Sequence, residues 1–135
     1  MIQFAKLSGF SPIITTASKH NEKYLKSLGA THVIDRSTPL SSLPAAVHEI
    51  TARQIMYAAD VISTPETQNA LYDVVAAGGS LLIDTQNAID KAKIESGEKF
   101  VAQVYGDVQH PPEQPCGRAL YAAITGLLER GEIKV

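Results

Sequence analysis

The chain has 135 residues, 44% of them hydrophobic and 19% charged, with a formal net charge of −2. That composition fits one domain of ordinary size with a true core, and the near-neutral balance without a Lys/Arg cluster gives no sign of a nucleic-acid partner. The apolar runs are strand-sized rather than membrane-spanning, the start Met1-Ile2-Gln3-Phe4-Ala5-Lys6 lacks the pattern of a secretory leader, and the single cysteine, Cys116, excludes an internal disulfide and argues against a structural zinc site. A cytoplasmic protein with no bound metal is the expectation.

In chain order, Met1 to Leu7 reads as the last turns of a helix stopped by Ser8-Gly9. Ile13 to Ala17 is β-branched and unbroken, as a strand buried on both faces would be. His20 to Leu28 is helical, with Tyr24, Leu25 and Leu28 on one face, Glu22 four residues before Lys26, and Gly29 as its cap. His32 to Asp35 is the next strand. Ser41-Ser42 can cap a helix carrying Leu43, Val47 and Ile50. Ile55 to Ile62 holds another strand, with a break near Ala59-Asp60.

Thr64-Pro65-Glu66 is a helix start, with a hydroxyl cap, a proline at the first position and an acid in the first turn. The helix is predicted to bury Leu71, Val74 and Val75 and to stop at Gly78-Gly79. Ser80 to Asp84 and Phe100 to Tyr105 are strand-like, and the proline-rich stretch from Asp107 to Pro115 is a loop. Leu120, Ala123, Ile124, Leu127 and Leu128 define a last amphipathic helix closed by Arg130-Gly131. Strands alternate with helices, with crossovers of a size that gives parallel pairing. The fold class is α/β, a doubly wound parallel sheet.

The stretch from Ile13 to Arg36 is the most informative. A strand, a polar turn Ser18-Lys19-His20-Asn21, a helix and a second strand are how a nucleotide-binding α/β sheet presents a ribose or phosphate pocket. No residue set reads as an acid–base pair. His32 and His48 are structural or solvated, His110 has no evident partner, and Cys116 has no histidine near it in sequence. Asp35 and Asp84 each follow a strand, where an acid more often caps a turn. Tyr24 and Tyr105 read as core or surface aromatics.

Five segments carry a family resemblance: Ala5-Lys6-Leu7-Ser8-Gly9, Lys26 through Asp35, Ile62 through Thr67, Gly78-Gly79-Ser80-Leu81-Leu82, and Leu127 through Lys134. In order and spacing they resemble the C-terminal cofactor-binding domain of the medium-chain dehydrogenase/reductase superfamily, in its zinc-independent, enoyl-reductase and quinone-reductase-like branch. The resemblance implies a Rossmann-like domain lacking its first strand and glycine-rich loop, over residues 1–135, with the barrel-like catalytic domain absent. It also implies an NADP(H)-dependent oxidoreductase transferring hydride to an activated double bond or carbonyl.

In such a fold an acid after the strand ending at Ala17 would hold the adenosine ribose and favour NAD. Ser18, Lys19, His20 and Asn21 stand there instead, and hydroxyl and amide donors beside a cation suit a 2′-phosphate. Arg36 would add a second cation. The alternative is that Ser18 caps the following helix while Lys19 and His20 are solvated. Ser63 and Thr64 fall where family members pass the nicotinamide ribose, Thr64 serving also as helix cap. Leu82 and Ile83 are expected to line the same region.

Pyrophosphate binding needs glycine-presented backbone N–H groups at a helix start, and no glycine here is placed for that. The chain by itself is therefore expected to give no turnover of NADPH with enones or quinones. An open central sheet edge would favour self-association or a complementary catalytic chain. A non-catalytic nucleotide-binding or subunit-association module is the alternative function.

Overall fold

The computed structural model describes residues 1–104 and 114–134, the side chains of Gln114 and Cys116 apart. Eleven elements alternate among the described residues: α1 (Ile2–Leu7), β1 (Ile14–Ala17), α2 (Glu22–Leu28), β2 (His32–Asp35), α3 (Leu43–Ile50), β3 (Ile55–Asp60), α4 (Pro65–Val74), β4 (Val75–Ile83), α5 (Lys91–Glu95), β5 (Phe100–Gln103) and α6 (Gln114–Glu129). Every strand pairing is parallel. The chain is α/β, and its strands form two sheets, β1-β2 and β3-β4-β5. These belong to two compact units, the first made of Met1–Thr38 with α6 and the second running from Pro39 through β5.

In the first unit, β1 and β2 are aligned from Ile14 opposite His32 to Ala17 opposite Asp35. Thr31 fastens the start of the pair: its hydroxyl donates to the Ile13 carbonyl and accepts from the Ile13 N–H, each at 2.9 Å. Gly29 ends α2 at φ 119°, a conformation glycine adopts without strain. A side chain there would also meet Lys6 on α1, whose Cδ would lie 2.7 Å from the added carbon. The amide of Gln3 in α1 exchanges two hydrogen bonds with the Lys134 backbone, at 2.9 and 2.7 Å. The helix predicted from His20 begins instead with a 3₁₀ turn, Lys19–Asn21. The Glu22–Lys26 pair forms at 2.7 Å. β1 is not buried on both faces, since Thr16 is exposed on a two-stranded sheet that leaves it little cover. Tyr24 is likewise exposed, while Leu25 and Leu28 carry the inner face of α2.

In the second unit, Tyr72, Val75, Leu81, Ile83 and Ile89 form the core, with Ala58, Leu71 and Val101 packed against it. α4 ends at Val74, four residues before the predicted stop, and β4 begins at the next residue. The glycine pair lies inside the strand. Register passes from Ile55 opposite Val75 to Tyr57 opposite Ser80, so β4 carries a bulge at Ala76–Gly79. Gly78 sits at φ 77° and donates its N–H to the Glu98 carbonyl at 2.7 Å. At Gly79 a Cβ would lie 2.8 Å from the Met56 oxygen and 2.9 Å from the Ala76 oxygen. The short helix α5 is not foreseen by the pattern. It is held by the Tyr72 hydroxyl, which donates to the Lys93 carbonyl at 2.6 Å, and by a Lys93–Asp73 pair at 2.7 Å. α6 starts at Gln114, earlier than its apolar stripe suggests, with Pro115 in the first turn. The remainder of the predicted proline loop, with Tyr105 and His110, lies outside the described residues.

The two glycines of the bulge are replaceable to different degrees. Gly78→Ala meets open space and is expected to cost about 1 kcal/mol, the left-handed penalty of an ordinary residue. Gly79→Ala drives a methyl group into two carbonyl oxygens and is expected to cost about 3 kcal/mol, at the upper end for overpacking. Urea denaturation of both variants checks the order; equal losses would mean that the bulge relaxes around Gly79.

Candidate functional site

The first group of predicted site residues lies in the first unit, where β1 and β2 end together. The Arg36 N–H donates to the Ala17 carbonyl at 2.9 Å, extending the ladder by one rung and bringing Arg36 beside the Ser18 turn. The turn is closed by the Asn21 N–H on the Ser18 carbonyl at 2.9 Å. Ser18 and Asn21 stand at cap positions, yet neither side chain caps the helical turn that follows. Capping by Ser18, the alternative reading of this residue, is thus not what the hydroxyl does. Lys19, His20, Glu22, Lys23 and Lys26 line a shallow depression of 390 Å³. Glu22 is held by Lys26, which keeps its carboxyl below the usual range. The remaining lining is rich in cationic donors.

Asp35 completes this end of the sheet. Its carboxylate accepts from the Ser37 N–H and the Ser37 hydroxyl, both at 2.8 Å. The backbone bond is the larger cause, the hydroxyl the next, and Lys19 and Arg36 add to them, so the group titrates below the ordinary Asp range. The acid therefore caps a turn, as an acid after a strand is expected to do.

The second group lies in the second unit, where β3 and β4 end, and here the structure reveals residues that sequence reasoning missed. Asp60, at the last position of β3, is buried and accepts from the N–H groups of Ile62 and Ser63 at 3.0 and 2.8 Å and from the Thr67 hydroxyl at 2.6 Å. Ser63 holds a left-handed backbone at φ 55°. Its hydroxyl donates to the Asp60 carbonyl and accepts from the Asp84 N–H, tying the end of β3 to the end of β4. Thr64 caps α4 reciprocally with Thr67, as predicted for the start Thr64-Pro65-Glu66.

Gln68, with no exposed surface, spans the same two loops. Its Nε2 shares two hydrogens among Ser63 O, Thr85 Oγ1 and Gln86 O at 3.2, 3.2 and 3.1 Å. Its Oε1 accepts from the Ala88 N–H at 2.7 Å. The signal for Gln68 was available, since it precedes Leu71 and Tyr72 by three and four residues and so shares their inward face. Leu82 and Ile83 point to opposite faces of β4, as neighbours in a strand must. Leu82 is 42% exposed, whereas Ile83 is 1% exposed and belongs to the core.

Two units of parallel α/β structure, each with its polar residues gathered where strands end, define a nucleotide-binding type of fold. Comparison with known proteins identifies it further. The profile of the zinc-binding dehydrogenase family matches residues 1–84, and the chain belongs to that family, within the medium-chain dehydrogenase/reductase superfamily and its C-terminal domain. It is similar to the trans-enoyl reductase FSL5 of Gibberella zeae, 40% identical over 78 residues that make up 58% of this chain and 21% of that protein. A quinone oxidoreductase of Pseudomonas syringae pv. Tomato DC3000 superimposes with a TM-score of 0.79 at 20% identity, over 99% of this chain and 42% of that one. The mycobacterial protein Rv1454c, solved in complex with NADPH, gives 0.78 at 16% identity, over 99% and 42% of the two chains. These structural likenesses show the Rossmann-like fold. The chain spans from 20% to 38% of the length of the curated relatives it matches. Although the family is described by its zinc, no three His, Cys, Asp or Glu side chains gather to hold a metal ion among the described residues. No helix among them is long and apolar enough to cross a membrane.

The charge on Asp35 has a readable consequence. Because its folded-state pKa is depressed, its contribution to stability is fully present above the ordinary Asp pKa and is lost as pH falls through the lowered one. The Asp35→Asn variant keeps an acceptor for Ser37 and should lose less stability than the parent on acidification. Urea midpoints measured from neutral pH into acid check this; parallel curves would remove Asp35 from the account.

Proposed function

We propose that this chain is the NADP(H)-binding part of an oxidoreductase of the enoyl- or quinone-reductase type. The observation that carries the reading is the turn after β1, where neither Ser18 nor Asn21 caps the following helix and Lys19, His20, Lys23 and the Glu22–Lys26 pair line one depression. In this reading Ser18 and Asn21 donate to a 2′-phosphate, Lys19 and Arg36 neutralise it, and His20 borders it. A dianionic phosphate rewards such donors more than a ribose hydroxyl does, since charge-assisted hydrogen bonds are about twice as strong as neutral ones. In the second unit, Thr64 and Leu82 are the residues proposed to meet the nicotinamide ribose, with buried Ser63 and Ile83 supporting them from within.

Family membership and the names of the relatives support the choice of reaction class. Bound NADPH would supply the hydride, which passes to an activated double bond or carbonyl. The contribution proposed for this chain is to bind and orient, with the substrate pocket assigned to the part of the relatives beyond its span.

Purified protein titrated with NADPH and NADH, followed by ligand fluorescence, tests the reading. NADPH is expected to bind more tightly than NADH. Lys19→Met should weaken NADPH about 10-fold, as the loss of one charged hydrogen bond implies, and leave NADH unchanged. Equal binding of the two cofactors would remove the 2′-phosphate from the site.

A second reading, a subunit-association module, is favoured by the one-sided pairing of β1 and of β3 among the described residues. It requires a species larger than one chain in light scattering; a monomer across the accessible concentration range would end it.

A further inference from the structure

We infer that Gln68 is the positioning residue for the nicotinamide half of the site, acting through Ser63 and the loop after β4; the inference rests on the cofactor reading above. A glutamine with no exposed surface inside a helix is costly unless its amide is fully used. Here the amide is fully used, and every partner lies in one of the two loops that leave β3 and β4. The orientation of the amide is fixed, because the Ala88 N–H can only donate and so selects Oε1. Nε2 is thereby directed at the Ser63 carbonyl, which the Thr85 hydroxyl also reaches at 2.9 Å.

Ser63 is the residue that needs such support. It is the one non-glycine residue with positive φ among those described, a conformation that strains an ordinary residue. Asp60 holds its N–H, Asp84 engages its hydroxyl, and Gln68 with Thr85 holds its carbonyl. All three polar groups of Ser63 are therefore occupied inward. The peptide joining Ser63 to Thr64 is set by these bonds, and so is the surface that the strand ends present. Gln68 itself is shielded from solvent, so its influence on a ligand runs through these loops.

The test separates the two halves of the ligand. Wild-type protein, Gln68→Leu and Thr85→Val are titrated with NADPH, read by nicotinamide fluorescence, and with 2′,5′-ADP, read by calorimetry. Thr85 is exposed at the surface, so Thr85→Val removes a bond to Ser63 without opening a cavity and serves if Gln68→Leu does not fold. The expected result is a loss of NADPH affinity of 10-fold or more in Gln68→Leu, a smaller loss in Thr85→Val, and 2′,5′-ADP affinity unchanged in both. Variants that bind both ligands like wild type, or lose both equally, overturn the role of Gln68 and leave the cofactor reading standing. A wild-type protein that binds neither ligand overturns the cofactor reading and this inference with it.

Discussion

The burial of one amide, that of Gln68, organises the second unit. A parallel sheet leaves each strand end facing a loop whose backbone groups have no ladder to join, and those groups must find partners elsewhere. At the ends of β3 and β4 the partners come from side chains. Gln68 reaches the carbonyls of Ser63 and Gln86 and the N–H of Ala88, while Asp60 collects the N–H groups of Ile62 and Ser63. No buried side-chain polar atom lacks a partner among the described residues. Such a network is strong because it is complete. With the Gln68 amide gone the Ala88 N–H would lose its acceptor and the Ser63 carbonyl one of its two donors, and a polar group left buried without a bond costs about 1–3 kcal/mol.

The first unit solves the same problem differently. Its strands end in a polar turn near the surface, and the chemistry there is that of exposed charge. Asp35 is satisfied locally by Ser37, and Glu22 by Lys26. What remains on the turn is cationic and has an open approach. One unit thus gathers exposed charge at its strand ends, and the other a buried hydrogen-bonded network.

Much of this was legible in the residues. Leu28-Gly29-Ala30 followed by His32-Val33-Ile34-Asp35 marks a helix stop and a strand, because left-handed caps and β-branched runs have few other uses. Thr64-Pro65 marks a helix start for a similar reason. The glycine pair at Gly78-Gly79 misled because glycine serves equally as a helix stop and as a bulge, and only the strand pairing, which leaves no room for a Cβ at Gly79 beside Val75, Met56 and Ala76, decides between them. α5 was invisible because its five residues hold their shape through Tyr72 and Asp73, distant in sequence. At the candidate site the charged turn could be read directly from Ser18 to Asn21. The Asp60–Ser63–Gln68 network could not, since its bonds reach across loops up to 22 residues apart, as from Thr85 to Ser63. The alternation along β4 separates Leu82 from Ile83, which a reading by proximity had kept together.

The pair of hydrogen bonds between Gln3 and Lys134 closes 131 residues of separation into a ring. Within that ring the second unit is an insertion, since the first is assembled from segments on either side of it in sequence. Sequence order and spatial neighbourhood are therefore only loosely coupled in this chain. A circular permutant that joined the two pinned ends and opened a surface loop elsewhere would preserve every strand pairing described here. The same adjacency means that Gln3 and Lys134 share a single place on the first unit.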